Sequence, residues 1–367
     1  MEYEIIRQPY MLQETVAMLF NFTNGISFKD IITRKKFFLG NEVTAEIVHR
    51  MERLQQMMEE ICAEVNPADP QLLWFFERAD ANHPGVSVAQ LLAFSFCRIG
   101  YPGLRENAEG ICRFWNESVQ SGSWLNPHCG DTLLFTKGEG APEDLFDQVF
   151  ALPYAREFQI RLYRALRHVD RTMEELVAFL EPFALKLEEK LLSEPWLQSD
   201  LVGYWQDIFE KTPPREVAKE ILGYETFPGH SGKTYVLPMF MNGSFVAFGE
   251  DQNDHEQFNL LILGSGATAG SHLRQQSSIL DGLSSILKAI SDRRRLEILC
   301  RLSHGRSYCY ELAEAMGIDA SNMSRHLAQL NQYGLLHQER EHMINYYETN
   351  KDALLDFLQL VGTTIMS

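Results

Sequence analysis

Apolar residues recur at helical spacing through most of the first 230 positions of this 367-residue chain. Ile47, Met51, Leu54, Met58, Ile61 and Val65 lie three and four apart, which predicts an amphipathic helix burying one stripe. Leu176, Phe179, Phe183, Leu187 and Leu191 predict another over Thr172–Leu192, interrupted at Pro182, which cannot donate to the helix ladder. Shorter helical runs fall near Leu12–Phe22, Val86–Cys97, Leu145–Leu152 and Phe158–Leu166. Pro67–Pro70, Ser121–Pro127 and Gly138–Pro142 carry turn chemistry between them.

The pattern changes after Gly232. Thr234–Met241 and Ser244–Phe248 flank Asn242-Gly243, a dipeptide suited to a two-residue hairpin turn that needs positive φ at both positions. Gln257–Leu263 follows the polar stretch Glu250–Glu256, so the expectation is a small three-stranded antiparallel meander. Pro238 has no amide to give a ladder, which places its strand at an edge or its amide position facing outward. Gly264–Ser278 is rich in Gly, Ser and Ala and then polar, and reads as a boundary.

From there a different order of signals begins. Leu280, Leu283, Ile286, Leu287 and Ile290 predict a helix. Ser291-Asp292 offer an N-cap to a second, carrying Leu296, Ile298, Leu299 and Leu302 and ending at Gly305. Cys309–Met316 predicts a third, closed by Gly317, and Asp319 or Ser321 caps a fourth that runs to Gly334. Leu336–Thr349 alternates as a hairpin, and Leu354, Leu355, Phe357, Leu358 and Val361 mark a last helix. Helices in this order followed by a hairpin make a winged helix-turn-helix. On the fourth helix Met323, Leu327 and Leu330 share the inner face, leaving Ser321, Asn322, Ser324, Arg325 and Gln329 outside. Arg bonds guanine bidentately, Asn or Gln bonds adenine, and Ser and backbone amides hold phosphate. Arg340 and His342, near the hairpin tip, are candidates for the DNA backbone or minor groove.

Charge sharpens this division. The net charge is −17, yet from Ser277 onward nine basic residues face eleven acidic ones, a balance of −2. An acidic body repels nucleic acid at long range, so any contact with it needs a local patch, most easily placed in the C-terminal segment. All five Trp lie between Trp74 and Trp205. Six cysteines do not make a disulfide framework, there is no run of eighteen apolar residues, and the start Met-Glu-Tyr-Glu is acidic. The expectation is a cytoplasmic protein with reduced thiols.

Three patterns resemble enzyme chemistry and fall short of it. Gly229–Thr234 looks like the end of a phosphate loop, but Phe227 stands where the first glycine belongs, and a strand rather than a helix follows Lys233. Gly264-Ser-Gly266-Ala-Thr-Ala269 fits a loose dinucleotide fingerprint without the alternating strands and helices it requires. Asn126-Pro-His128-Cys129-Gly-Asp131 could ligate metal but has no spaced partner motif.

The run from Leu287 through Gly305, then Tyr310 to Leu336 with Ser324-Arg325-His326-Leu327 at its centre, then Arg340 to Glu348, resembles the ArsR/SmtB-type bacterial regulators. The resemblance covers about a quarter of the chain, roughly Ser277 to Val361. It implies a fourth helix in the major groove, with Ser321, Asn322, Ser324, Arg325 and His326 as recognition candidates and Arg340 and Tyr346 on the wing. It also implies a homodimer through the first and last helices, with Leu280, Leu283, Leu287, Leu354, Phe357 and Leu358 as contact candidates. Metal-sensing members often carry Cys-x-Cys where this chain has Tyr308 and Tyr310, or histidines on the last helix, and Lys351–Ser367 has none. No metal site is therefore expected. The wing also lacks a tip glycine, with Glu341 and His342 there instead.

The resulting expectation is a mainly α protein in four segments. Residues 1–230 form a multi-helix domain for sensing or dimerisation, 231–264 a small antiparallel three-stranded sheet, 265–278 a linker, and 279–367 a winged helix-turn-helix. The expected function is sequence-specific, operator-binding transcription regulation by a homodimer. No enzymatic activity, cofactor or membrane contact is expected, and a non-metal small-molecule effector would bind the N-terminal domain. The competing readings are a winged-helix scaffold that never touches DNA, and an enzyme dependent on Lys233 or Gly266. Some positions stay open between two roles. Arg293-Arg294-Arg295 either touch phosphate or form a solvated helix start, His326 faces DNA or packs inward, and the apolar faces of the first and last helices serve a dimer or the chain's own core.

Overall fold

Helix α1 (Met11–Thr23) is buried from Met11 to Asn21, so it meets protein on every side and its polar residues need partners within the fold. It packs against α2 (Ala45–Cys62), α3 (Pro70–Phe76), α4 (Val88–Ser95), α5 (Leu104–Gln120) and α8 (Val169–Ser193). The computed structural model describes residues 2–29, 31–32, 44–80, 83, 85–95, 99–125, 133, 135–136, 144–222, 232–243, 246–252, 257–267, 283–284, 286–341, 344–351, 353–355, 357–358 and 361. They divide into two compact units, one from 1–29 and 45–269, the other from 30–44 and 270–367.

The first unit is mainly helical, as its periodicity predicts. The remaining helices are α6 (Leu145–Phe150), α7 (Arg156–Arg167), α9 (Pro195–Phe209) and α10 (Pro214–Leu222). Pro182 does not break α8. The carbonyl it leaves without a donor belongs to Ala178, and both residues are exposed, where water can satisfy it. A two-stranded ribbon pairs β2 (Trp124–Leu125) with β3 (Phe135–Thr136). The cluster Asn126–Asp131 lies outside the described residues.

The sheet departs from the expected antiparallel meander. It has four strands in the order β1 (Tyr3–Ile5), β4 (Thr234–Met239), β6 (Gln257–Gly264), β5 (Val246–Gln252). β1, β4 and β6 are mutually parallel, and only β5 runs against its neighbour β6. Asn242-Gly243 therefore does not join paired strands, because β6 lies between β4 and β5. Pro238 sits in an inner strand and is tolerated for a specific reason. The Thr234 amide donates to Glu2 and the Val236 carbonyl accepts from Ile6, so alternate residues of β4 face β1. Pro238 continues that series past Ile5, where β1 has ended. Lys233, from the apparent phosphate loop, pairs with Glu4 at 2.6 Å and lies 4.6 Å from the Tyr235 ring centre.

Polar side chains lock the strand ends. Glu14 accepts backbone hydrogen bonds from Phe240 (2.8 Å) and Met241 (2.7 Å), and Asn21 donates to the Met241 carbonyl (2.8 Å). Ser265 and Gly266 donate to the carbonyls of Asn242 and Gly243, each at 3.0 Å. Ser265 and Ala267 are buried, so packing continues to Ala267, inside the expected linker; Thr268–Ser278 lie outside the described residues. A Cβ on Gly266 would stand 2.7 Å from the Gly243 oxygen and 2.8 Å from Met51 Sδ. The glycine thus serves close approach of two backbones rather than a pyrophosphate. Gly266→Ala is expected to lower the unfolding free energy by about 1–3 kcal/mol, because backbone must move. Urea denaturation checks this, and an unchanged midpoint would refute it.

Burial pushes the Glu14 carboxyl up from 4.5 to about 7, against the backbone hydrogen bonds from Met241 and Phe240 that lower it. The folded chain therefore keeps a proton that the unfolded chain releases earlier. This contribution is complete below the unfolded value of 4.5 and is lost as pH rises to about 7, a difference of about 3 kcal/mol. Urea titrations at about pH 5 and pH 8 should show a steeper loss in the natural chain than in Glu14→Gln. Equal losses would remove Glu14 as the cause.

The second unit follows the predicted order. Helical residues 283–284 and 286–290 precede α11 (Arg293–Leu302), β7 (Ser307–Tyr308), α12 (Cys309–Met316), α13 (Ala320–Gln332), β8 (Leu336–Glu341) and β9 (Ile344–Thr349), and residues 351, 353–355, 357–358 and 361 are again helical. The wing sheet is antiparallel in the order β7-β9-β8. Asp292 caps α11 through the Arg295 amide, and Asp319 rather than Ser321 caps α13 through the Asn322 amide. Gly317 ends α12 at φ +62°, a left-handed conformation that costs glycine no Cβ clash. Leu283, Ile286, Ile298, Leu299, Leu302, Leu312, Met323, Leu327, Leu330, Leu336 and Phe357 form one core.

Candidate nucleic-acid interface

The recognition candidate α13 is held from behind. Met323, Leu327 and Leu330 are completely or nearly completely buried and pack with Ile298, Leu299, Leu302 and Leu312. The first residue of α13 is tied to α12, where Cys309 Sγ donates to the Ala320 carbonyl at 3.5 Å. Rigid mounting of this kind fixes which residues face away from the core. Ser321, Asn322, Ser324 and Arg325 are exposed, and His326 and Gln329 are half-buried.

Their freedom differs. The Asn322 side-chain amide donates to Asp319 Oδ2, so the cap residue already holds one end of it. Asp319 is kept below the ordinary carboxylate range chiefly by the hydrogen bond from the Asn322 amide, and it stays anionic at the helix start. Gln329 Oε1 accepts from Arg295 Nη1 at 2.7 Å. Arg295 also donates to the carbonyls of Ala289 and Lys288. The structure thus makes Gln329 part of a tie between α13, α11 and the preceding helix, a role its outward sequence position did not suggest. Arg325 makes no hydrogen bond or ion pair among the described residues.

The basic triplet separates in the same way. Arg295 is structural, whereas the side chains of Arg293 and Arg294 are 91% and 55% exposed and share Glu297 at 3.2 and 3.7 Å. The Asp292 carboxyl is held below its ordinary range chiefly by the hydrogen bond from the Arg295 amide and next by the Arg295 guanidinium; His326 is half-buried.

On the wing, Tyr346 is half-buried and pairs in register with Tyr308, their rings meeting edge-on at 5.7 Å. The Arg306 guanidinium lies 5.1 Å from the Tyr346 ring centre and 3.3 Å from Glu339. Arg306 was not among the sequence candidates. Its one signal was a basic residue immediately before the short strand Ser307–Tyr308. Arg340 pairs with Asn345 along the ladder, its side chain lies outside the description, and His342 is outside the described residues.

The six dimer candidates do not behave alike. Leu283 and Phe357 are buried in the unit's own core, and Leu354 packs partly buried against it. Leu287 and Leu358 are 48% and 62% exposed, and Leu280 lies outside the described residues. Among the described residues no three His, Cys, Asp or Glu side chains are grouped to hold a metal ion. No helix of the described residues is long and apolar enough to cross a membrane.

Residues 292–338, from the Asp292 cap into β8, match the family model for the bacterial regulatory protein arsR family. The transcriptional activator HlyU of Vibrio cholerae is 30% identical over 76 residues, which is 21% of this chain and 70% of the relative. The HTH-type transcriptional regulator YgaV of Escherichia coli is 32% identical over 83 residues, 22% of this chain and 84% of the relative. A solved homodimeric winged helix-turn-helix DNA-binding domain from Mycobacterium bovis is 29% identical, over 24% of this chain and 85% of that one, with a TM-score of 0.22.

Proposed function

The chain belongs to the arsR family of bacterial regulatory proteins and is a DNA-binding transcriptional regulator, and from that premise we infer that it reads an operator as a homodimer. The observation that carries this reading is the exposed row Ser321, Asn322, Ser324 and Arg325 on a helix whose opposite face is fixed in the core. Such a helix enters the major groove with side chains directed at base edges while a wing reaches the flanking backbone. Arg293, Arg294, Arg306 and Arg340 supply cations for phosphate.

A two-fold dimer predicts an operator of two inverted half-sites, centred about one or two helical turns apart. In this reading Leu287 and Leu358, which the unit's own core leaves exposed, lie in the dimer contact. The first unit acts on DNA binding through a non-metal effector. The effector must favour one arrangement of the dimer over the other by differential affinity, since equal affinity shifts nothing. The regulator works in the cytoplasm without catalysis or cofactor. Supporting this, Lys233 and Gly266, on which the enzyme reading depended, are each engaged in holding the sheet.

The test is retention of genomic fragments by the purified full-length chain at moderate salt, beside an Arg325→Ala/Arg340→Ala variant. A few fragments sharing an inverted repeat, lost with the variant, are expected. Affinity should also fall steeply with salt as condensed counterions are released. No enrichment by a folded dimer, with or without cellular metabolites, would overturn the reading in favour of a scaffold.

A further inference from the structure

One face of the first unit is charge-balanced on an otherwise acidic chain. Phe146 of α6 stacks on Phe150 at 4.1 Å and meets Tyr163 of α7 edge-on at 5.5 Å. This ridge is not closed over, since Phe146 is 46% exposed and Ile160 of α7 is 42% exposed. Arg156 lies 4.4 Å from the Phe150 ring centre and Arg167 lies 5.9 Å from that of Tyr163. Arg164 is exposed one turn before Arg167. Among the described residues none of these three arginines forms an ion pair, although the chain carries 50 acidic residues. Three carboxylates on the same two helices, Asp144, Asp147 and Glu157, are also exposed and without an ion pair among the described residues.

We propose that this face of α6 and α7 is a contact between two copies of the chain. Phe146 and Ile160 form its apolar centre, and the arginines of each copy meet the carboxylates of the other. The occupant follows from the charges. Two chains of net charge −17 repel at long range, so they can approach only where a patch is locally neutral. A two-fold contact brings a surface against itself, which requires both signs around an apolar middle. An acidic partner or DNA would suit the arginines but be repelled by the three carboxylates. This contact is separate from the one assigned above to Leu287 and Leu358, and neither depends on the other.

The experiment is sedimentation equilibrium of the full chain over a dilution series. Phe146→Glu is expected to raise the dissociation constant by about tenfold or more, as for a central interface aromatic. Arg164→Glu/Arg167→Glu and Asp147→Lys/Glu157→Lys should each weaken self-association. An equimolar mixture of those two charge-reversed chains should associate better than either alone. Leu287→Glu/Leu358→Glu reads the winged-helix contact independently, and adding Phe146→Glu to it should dissociate the chain further. Thermal melting controls for folding, and every altered side chain is exposed or partly exposed. Unchanged association of all three α6–α7 variants, with no preference in the mixture, would overturn the proposal. So would retention of an acidic peptide or DNA by the natural face when self-association is unaffected.

Discussion

Arg325→Ala is expected to weaken operator binding by about 1–3 kcal/mol per half-site and to relax base preference at one position in each. Arg325 carries this effect because of what its neighbours are already doing. Asn322 is held by Asp319 and Gln329 by Arg295, and His326 is half-buried. Arg325 is exposed and without a partner among the described residues, so its fork of donors is available to a guanine edge. Its removal breaks no internal contact, and the thermal midpoint should not move. Fluorescence anisotropy against single-base operator variants measures the outcome. Uniform weakening across all sequences, with a shallower salt slope, would make Arg325 a phosphate contact instead. Arg293→Ala should show that second pattern, since its long, 91% exposed side chain lies at the start of α11.

The C-terminal unit was legible because its signals are local. Asp292 and Asp319 cap helices within three residues of themselves, and Gly317 closes α12 by a backbone conformation that needs no distant partner. Met323, Leu327 and Leu330 share a face by helix geometry alone. The sheet was not legible for the opposite reason. Tyr3 pairs with Thr234 across most of the chain, and β6 enters between β4 and β5. A turn dipeptide such as Asn242-Gly243 describes how a chain reverses, not which strand then lies beside it.

The interface shows the same limit at side-chain scale. Periodicity grouped Leu283, Leu287, Leu354, Phe357 and Leu358 as apolar positions, but only packing separates the buried Leu283 and Phe357 from the exposed Leu287 and Leu358. Gln329 had an outward address in the helix pattern and was drawn back by Arg295, a residue that sequence alone left between phosphate contact and solvated helix start.

Asp200→Ala should destabilise the first unit by about 3–5 kcal/mol, because it leaves a buried cation without its anion. Arg50 of α2 is 1% exposed, donates to Asp200 Oδ2 on α9, and sends Nε and Nη2 to the Ser265 carbonyl at 3.1 and 2.8 Å. Burial lowers its pKa and Asp200 opposes that shift, yet a guanidinium stays protonated at any working pH. It therefore cannot escape by losing its proton, as a buried lysine would. The Ser265 carbonyl is a neutral acceptor and cannot replace the carboxylate. Asp200→Asn keeps an acceptor but not the charge and should fall between the two. Arg50→Met/Asp200→Ala removes the stranded cation altogether and should recover part of the loss, a non-additivity that a double-mutant cycle in urea would measure. A cost below about 1 kcal/mol for Asp200→Ala would mean that water enters along the 27% exposed Asp200 side chain and solvates Arg50. In that case the strand-end lock would rest on Glu14, Asn21 and Gly266 alone.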